Sequence, residues 1–217
     1  MADDPESKKD LSERSHDPSR RRFLKGVGIV GAGAAFADKI LAETADVDLA
    51  ANSNQPLTGN VPVVLQINGQ KRTAQVEPRT TLLNTLRNHL EPPVTGPKLV
   101  CDMGTCGACT VLMDGNPIYS CLVLAVDAVG RNITTVEGLG SPEALNEVQH
   151  AFVEKDALMC GFCTPGFVTT ISAYLEKNPN PNLAEVREAC KGNFCRCGTY
   201  PRVFEAALAA AKAGASS

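Results

Sequence analysis

Eight of the nine cysteines in this chain fall into two tight sets, and this grouping constrains its fold more than any other feature. Cys101, Cys106, Cys109 and Cys121 follow a C-x4-C-x2-C-x11-C spacing. Cys160, Cys163, Cys195 and Cys197 follow C-x2-C-x31-C-x-C. Such short repeats read as ligand or redox frameworks rather than as scattered core residues. The ninth, Cys190, falls on a predicted apolar helix face with Leu183 and Val186 and reads as a buried structural thiol.

The C-x4-C-x2-C…C order is the signature of a plant-type [2Fe–2S] site. Two irons need four thiolates converging on one point from a loop that wraps them. Gly104 and Gly107 permit the backbone angles such a loop needs, and backbone N–H groups there can bond to the sulfurs. In the second set, C-x2-C alone is shared with zinc sites and redox disulfides. The C-x-C half fits a compact cluster better than zinc. Each half precedes a predicted helix, whose positive N-terminal end stabilises thiolates. Structural zinc could use the same eight thiolates, although the first spacing argues against it. Four disulfides plus one free thiol is the other alternative in an oxidising compartment. A Rieske centre needs two histidine ligands. The chain has only His16, His89 and His150, all remote from the cysteines, and the last two lie on predicted helices as surface residues.

Residues 1–37 read as a twin-arginine signal peptide. Ser19-Arg20-Arg21-Arg22-Phe23-Leu24-Lys25 precedes a short Gly/Ala-rich apolar stretch and a small-residue exit at Ala35-Phe36-Ala37. That route carries folded proteins to the periplasm, which suits a cofactor inserted before export. Residues 38–60, rich in Ala, Asp, Asn and Thr, read as a flexible linker. No run of eighteen apolar residues occurs, so no direct membrane span is expected. The net charge of -3 argues against a nucleic-acid partner, and 43% hydrophobic residues suffice for a core.

Two modules follow. Residues 61–140 carry a strand through Val63, Leu65 and Ile67, an Asn68-Gly69 turn and a second strand to Val76. A helix capped at Thr80 or Thr81 presents Leu82, Leu83, Leu86 and Leu90 and ends before Pro92. Apolar runs at Thr110–Met113 and Asn132–Val136 flank an Asp114-Gly115 turn. This pattern predicts a small α+β domain. Residues 141–214 read as four helices, starting at Ser141-Pro142, Thr164-Pro165, Asn182 and Tyr200-Pro201. The first would carry Leu145, Val148 and Phe152 on one face. No constellation of catalytic acid, base or nucleophile is evident.

Gly96 through Val111, Ile133–Leu139, Cys160–Gly166 and Gly192–Tyr200, in that order, resemble the iron–sulfur subunit of the xanthine oxidase family of molybdenum hydroxylases. The resemblance covers about residues 62–212. It implies an α+β fold class: a β-grasp plant-type [2Fe–2S] ferredoxin domain followed by an all-α four-helix [2Fe–2S]-binding domain. It implies that Cys101, Cys106, Cys109 and Cys121 hold one cluster and Cys160, Cys163, Cys195 and Cys197 the other. Molybdopterin would sit on a large partner subunit that hydroxylates a carbon centre with water as the oxygen source. This chain would pass electrons to an FAD-binding subunit or a c-type cytochrome, carrying haem. Among exported members the resemblance points to an aldehyde oxidoreductase. The rival reading is a free-standing two-cluster electron carrier. Two positions depart from the family: Val100 stands where Gly is common, and Met159 where Gln is thought to contact the molybdenum cofactor. Met cannot donate an amide hydrogen bond.

Overall fold

The alternation of Val63, Leu65 and Ile67 with outward-facing residues builds strand β1 (Val61–Ile67). Asn68 and Gly69, both at positive φ, turn it into the antiparallel β2 (Gln70–Val76). The computed structural model describes residues 58–214. The twin-arginine segment and most of the 38–60 linker lie outside the described residues. Helix α1 (Leu82–Asn88) is capped by Thr81, whose Oγ1 accepts from Asn84 N at 3.2 Å. Its Leu82 and Leu86 pack on Val63, Leu65, Val76, Val111 and Ile133 to form the first core. Leu90 joins that core from beyond the helix. The chain turns after His89, and Val94 N donates to Leu86 O at 2.8 Å.

Asp114 and Gly115 turn β3 (Thr110–Met113) into β4 (Asn116–Tyr119), and β5 (Asn132–Thr134) follows. The sheet order is β2-β1-β5-β3-β4, with β5 parallel to β1 and every other pairing antiparallel. One helix packed across this five-stranded sheet is the expected β-grasp. β4 gives little sequence signal because Pro117 interrupts it, and the structure tolerates that proline at the sheet edge.

The C-terminal half contains α2 (Glu147–Glu154), α3 (Thr164–Lys177), α4 (Leu183–Ala189) and α5 (Tyr200–Gly214). The first helix does not start at Ser141-Pro142. Ser141 instead closes a local turn, its Oγ accepting from Ala144 N at 3.1 Å. Asn146 and Gln149 form a reciprocal capping box that starts the helix at Glu147, so Leu145 lies before it and is exposed. Asn182 and Glu185 repeat the device on α4. That cap directs Val186 inward and leaves Leu183 exposed, against the expectation that the two share a buried face. Phe167, Ile171, Val186, Val203 and Ala207 centre the second core, joined by Val148 and Phe152. Phe167 meets Tyr200 edge-on at 5.9 Å.

The two halves touch. α3 packs against β3, Gln149 Nε2 donates to Val136 O at 3.0 Å, and Lys177 Nζ donates to Asn116 Oδ1 at 2.9 Å. All described residues belong to one compact unit. Among them, no helix is long and apolar enough to cross a membrane.

Candidate metal centres

The first four cysteines meet where a loop and a hairpin close on each other. Residues 100–108 form an irregular loop ahead of β3, with Asp102, Gly104 and Gly107 at positive φ. Lys98 N donates to Ala108 O at 2.9 Å and closes the loop at its neck. Arg87 Nη1 holds the approach to the loop through Thr95 O and Pro97 O, each at 2.8 Å. Gly96 N donates to Glu137 Oε1 at 2.5 Å. The β3–β4 hairpin returns the chain beside Cys109: Ser120 Oγ donates to Cys109 O at 2.7 Å and sets Cys121 next to it.

The thiols of this set pair off, Cys101 with Cys106 and Cys109 with Cys121. Burial opposes ionisation of Cys101. Hydrogen bonds from the Thr105 hydroxyl, the Met103 N–H, the Cys106 thiol and the Thr105 N–H outweigh it and bring the thiol down to about 6. Burial and the adjoining Cys109 thiol push Cys121 up to about 11. Burial likewise raises Cys106. Cys106, Cys109 and Cys121 are buried, and Cys101 is partly open to solvent.

The second set gathers at the starts of α3 and α5, as expected. Cys163 is the N-cap residue of α3, and Cys195 and Cys197 lie just before α5. Cys160 pairs with Cys197, and Cys163 with Cys195. Cys195 N donates to Tyr200 Oη at 2.8 Å, and Cys195 Sγ lies 3.2 Å from Thr199 Oγ1. Burial acts against the Cys195 thiolate, but the Thr199 hydroxyl and N–H, the Cys163 thiol and the Gly198 N–H bring it down to about 7. Burial and the Cys195 thiol push Cys163 up to about 12. The Phe162 N–H lowers Cys160. Cys160 and Cys197 are exposed, flanked by the exposed Met159 and Phe162. Met159 also lines a groove of about 320 Å³ with Leu158, Thr199, Pro201 and Arg202. Val100 lies at the surface beside the first set, with Leu99, Met103 and Leu122.

Each set is thus two neighbouring pairs of sulfurs. Four soft sulfur donors arranged two and two suit a pair of irons, each taking two terminal thiolates, better than one tetrahedral zinc. Cys190 belongs to neither set. It sits in the helical core, and burial alone pushes it up to about 12. His89 and His150 are exposed.

Residues unmarked by the cysteine pattern complete the sites. Glu137, besides holding Gly96, accepts from Thr135 Oγ1 at 2.5 Å. Thr199 sits against a cysteine sulfur. Tyr119 and Asn193 span the two loops: Tyr119 Oη donates to Gly192 O at 3.0 Å, and Asn193 Nδ2 to Gly107 O at 3.2 Å. Asn193 and Thr199 occur within the glycine-flanked closing motif, which was the available signal. Tyr119, in the weakly marked β4, had none.

A β-grasp ferredoxin half and a four-helix half, each gathering four thiols, define a two-site iron–sulfur protein of the electron-transfer class. Residues 65–131 match the 2Fe-2S iron-sulfur cluster binding domain family and residues 135–208 the [2Fe-2S] binding domain family. The nicotine 6-hydroxylase small subunit of Paenarthrobacter nicotinovorans is 49% identical over 148 residues, covering 68% of this chain and 88% of that one. The aldehyde oxidoreductase iron-sulfur-binding subunit PaoA of Escherichia coli is 37% identical over 218 residues, covering 93% of each chain. Among solved structures, quinoline 2-oxidoreductase from Pseudomonas putida matches with a TM-score of 0.68 and 43% identity, over 73% of this chain and 98% of that one. The aldehyde oxidoreductase of Desulfovibrio gigas matches with a TM-score of 0.66 and 33% identity, over 72% of this chain and 17% of that longer one. The chain belongs to the small iron–sulfur subunits of the xanthine oxidase family of molybdenum hydroxylases.

Proposed function

We propose that Cys101, Cys106, Cys109 and Cys121 hold one [2Fe–2S] cluster and Cys160, Cys163, Cys195 and Cys197 a second. The subunit then relays electrons out of an exported aldehyde oxidoreductase. The observation that carries this reading is the two-by-two pairing of thiols in both sets. It supports assigning Cys101 and Cys106 to one iron, Cys109 and Cys121 to the next, and likewise Cys160 with Cys197 and Cys163 with Cys195. Each cluster supplies one-electron chemistry, so that a two-electron oxidation on the partner discharges in single steps.

The protein's own residues supply the surroundings. The loop closed by Lys98 and Glu137 belongs to a site in which Cys106, Cys109 and Cys121 are buried and Cys101 is partly open. Hydroxyl and N–H donors at Thr105 and Thr199 hold negative charge on sulfur. The second site opens at Cys160 and Cys197 onto an apolar surface that includes Met159 and Phe162. This face suits a large molybdopterin-binding subunit, with electrons entering there. The first site has its own apolar border at Leu99, Val100, Met103 and Leu122, which suits an acceptor: an FAD-binding subunit or a c-type cytochrome. Export by the twin-arginine route to the periplasm draws support from Ser19–Lys25. The 93% span of the PaoA match also reaches into the segment before residue 58. That full-length match favours an aldehyde as the substrate class over the N-heteroaromatic compounds named for shorter relatives.

The test is EPR of the dithionite-reduced complex, with iron and acid-labile sulfide counted on the same sample. Two distinguishable [2Fe–2S] signals with about four irons per chain are expected. A colourless zinc protein, or a single signal, would overturn the assignment.

A further inference from the structure

The loops that carry the two cysteine sets meet at a seam made of main-chain atoms. Phe194 N donates to Cys106 O at 2.9 Å, so the residue before Cys195 is bonded directly to a cysteine of the other set. One residue on, Gly107 O accepts from the buried Asn193 side chain at 3.2 Å and from Thr110 Oγ1 at 2.6 Å. From the other side Tyr119 Oη donates to Gly192 O at 3.0 Å. Three glycines make this approach possible. A Cβ at Gly107 would strike Gly192 O and the Asn193 amide, one at Gly166 would strike Gly107 O, and one at Gly192 would strike the Tyr119 hydroxyl. Asn193 is only 6% exposed, and its amide is spent on Gly107 O, across the joint.

Apart from Thr110 Oγ1, which bonds within the first loop, each of these contacts runs from one set's loop to the other. What they fix is the spacing between the two. From Cys106 to Cys195 there is a connection made of a brief run of covalent bonds interrupted once, by the Phe194 N–H···O=C Cys106 hydrogen bond. Electron passage between two fixed centres falls steeply with their separation. A joint that lets two backbones touch, and pins them with buried polar side chains, therefore governs its rate.

We propose that Asn193 and Tyr119 are positioning residues that clamp this glycine-lined seam and thereby set the separation of the two clusters and the rate of electron passage between them. The inference rests on the assignment of the eight cysteines to two clusters. In the step concerned, one electron leaves one cluster, which is oxidised by one unit, and enters the other, which is reduced by one; no bond is made or broken and no proton moves.

The test uses the complete complex carrying Asn193→Ala, Tyr119→Phe or Gly166→Ala. Iron is counted, each cluster's EPR spectrum is recorded, and the magnetic splitting between the two reduced clusters is measured. Intramolecular electron transfer is then followed after rapid photoreduction. In Asn193→Ala and Tyr119→Phe, iron content and both individual spectra should be retained, while the splitting weakens and transfer slows several-fold. In Gly166→Ala, where a side chain is forced into the seam, both effects should be larger. Unchanged splitting and unchanged rate in the first two variants at full iron content would overturn the inference, and these two decide it should Gly166→Ala fail to fold. An unmodified complex with fewer than two clusters would overturn the cysteine assignment itself, and the iron count tells that outcome apart.

Discussion

Thr199→Val is the substitution that reads most directly how this scaffold tunes a cluster. Thr199 is buried, and its Oγ1 lies 3.2 Å from Cys195 Sγ. Valine keeps the branched shape and removes only the hydroxyl. A hydrogen bond to a charged acceptor contributes about 1.5–3 kcal/mol to stability. It is present whether the cluster is oxidised or reduced, so only its strengthening as the sulfur gains negative charge enters the potential. Taking roughly 1 kcal/mol for that increment, and 59 mV for each tenfold change in a one-electron equilibrium, the loss is about 40 mV. The sign follows from the charge: the reduced state is the more negative and loses more, so the potential falls. The same donor favours the Cys195 thiolate over its thiol, which is the same electrostatics seen on a single sulfur. An EPR-monitored redox titration of the complex would show the C-terminal cluster shifted down and the plant-type cluster unmoved, with Thr199→Ser restoring the original value. A fully loaded Thr199→Val protein whose C-terminal cluster titrates unchanged or higher would refute the reasoning.

Cys190→Ser should load both clusters fully but lower stability by about 1–3 kcal/mol, because it buries a hydroxyl among apolar side chains; a loss of iron on counting would show that Cys190 is a ligand after all. Phe167→Ala, in the fully buried centre of the helical half, should cost about 3–5 kcal/mol and be visible as a lowered thermal midpoint. Chelation of the iron should also lower that midpoint while leaving the far-UV signature of the sheet in place, since the loop over residues 100–108 has no helix or strand of its own and depends on what it binds. In the cluster-free protein at pH 7, Cys101, with its thiol near 6, is already mostly thiolate. Cys190, near 12, stays protonated until the solution is strongly alkaline. Iodoacetamide followed by peptide mapping should therefore label Cys101 first and Cys190 last.

Much of this arrangement is legible from residue order alone, wherever a local rule decides the outcome. Asn68-Gly69 can do little but turn a hairpin, and Thr81, Asn182 and the helix starts at Thr164 and Tyr200 follow from capping and proline chemistry. The cysteine spacing marks both sets, and the structure brings the members of each together. Legibility fails where two local signals compete. Ser141-Pro142 and the Asn146…Gln149 box both announce a helix, and the box wins because it satisfies two backbone donors at once while Ser141 spends its hydroxyl on a turn. It fails again where a partner distant in sequence supplies the reason. Nothing near Glu137 says that it holds Gly96, forty-one residues earlier, at the entrance to the first cysteine loop. Nothing near Tyr119 says that it reaches Gly192. Leu183 shows the converse: apolar and in register with Val186, it is nevertheless turned to the surface because the cap at Asn182 fixes the helix's rotation.

The two borders of the sheet decide how this subunit behaves before it meets anything. β4 is four residues long and carries Pro117, which has no N–H to offer a newcomer. β2, on the opposite border, shows solvent Gln70, Lys71, Thr73 and Gln75. Short length, a proline and a lysine are the usual safeguards against one sheet adding onto another. Among the described residues, the sheet therefore offers a surplus of this chain, synthesised ahead of its companions, no ready template for stacking into fibres or strand-swapped dimers. Among the described residues, exposed apolar side chains border both cysteine sites, at Leu99, Val100, Met103 and Leu122 and at Met159 and Phe162, so the surfaces offered to companion subunits there are side-chain patches rather than sheet edges.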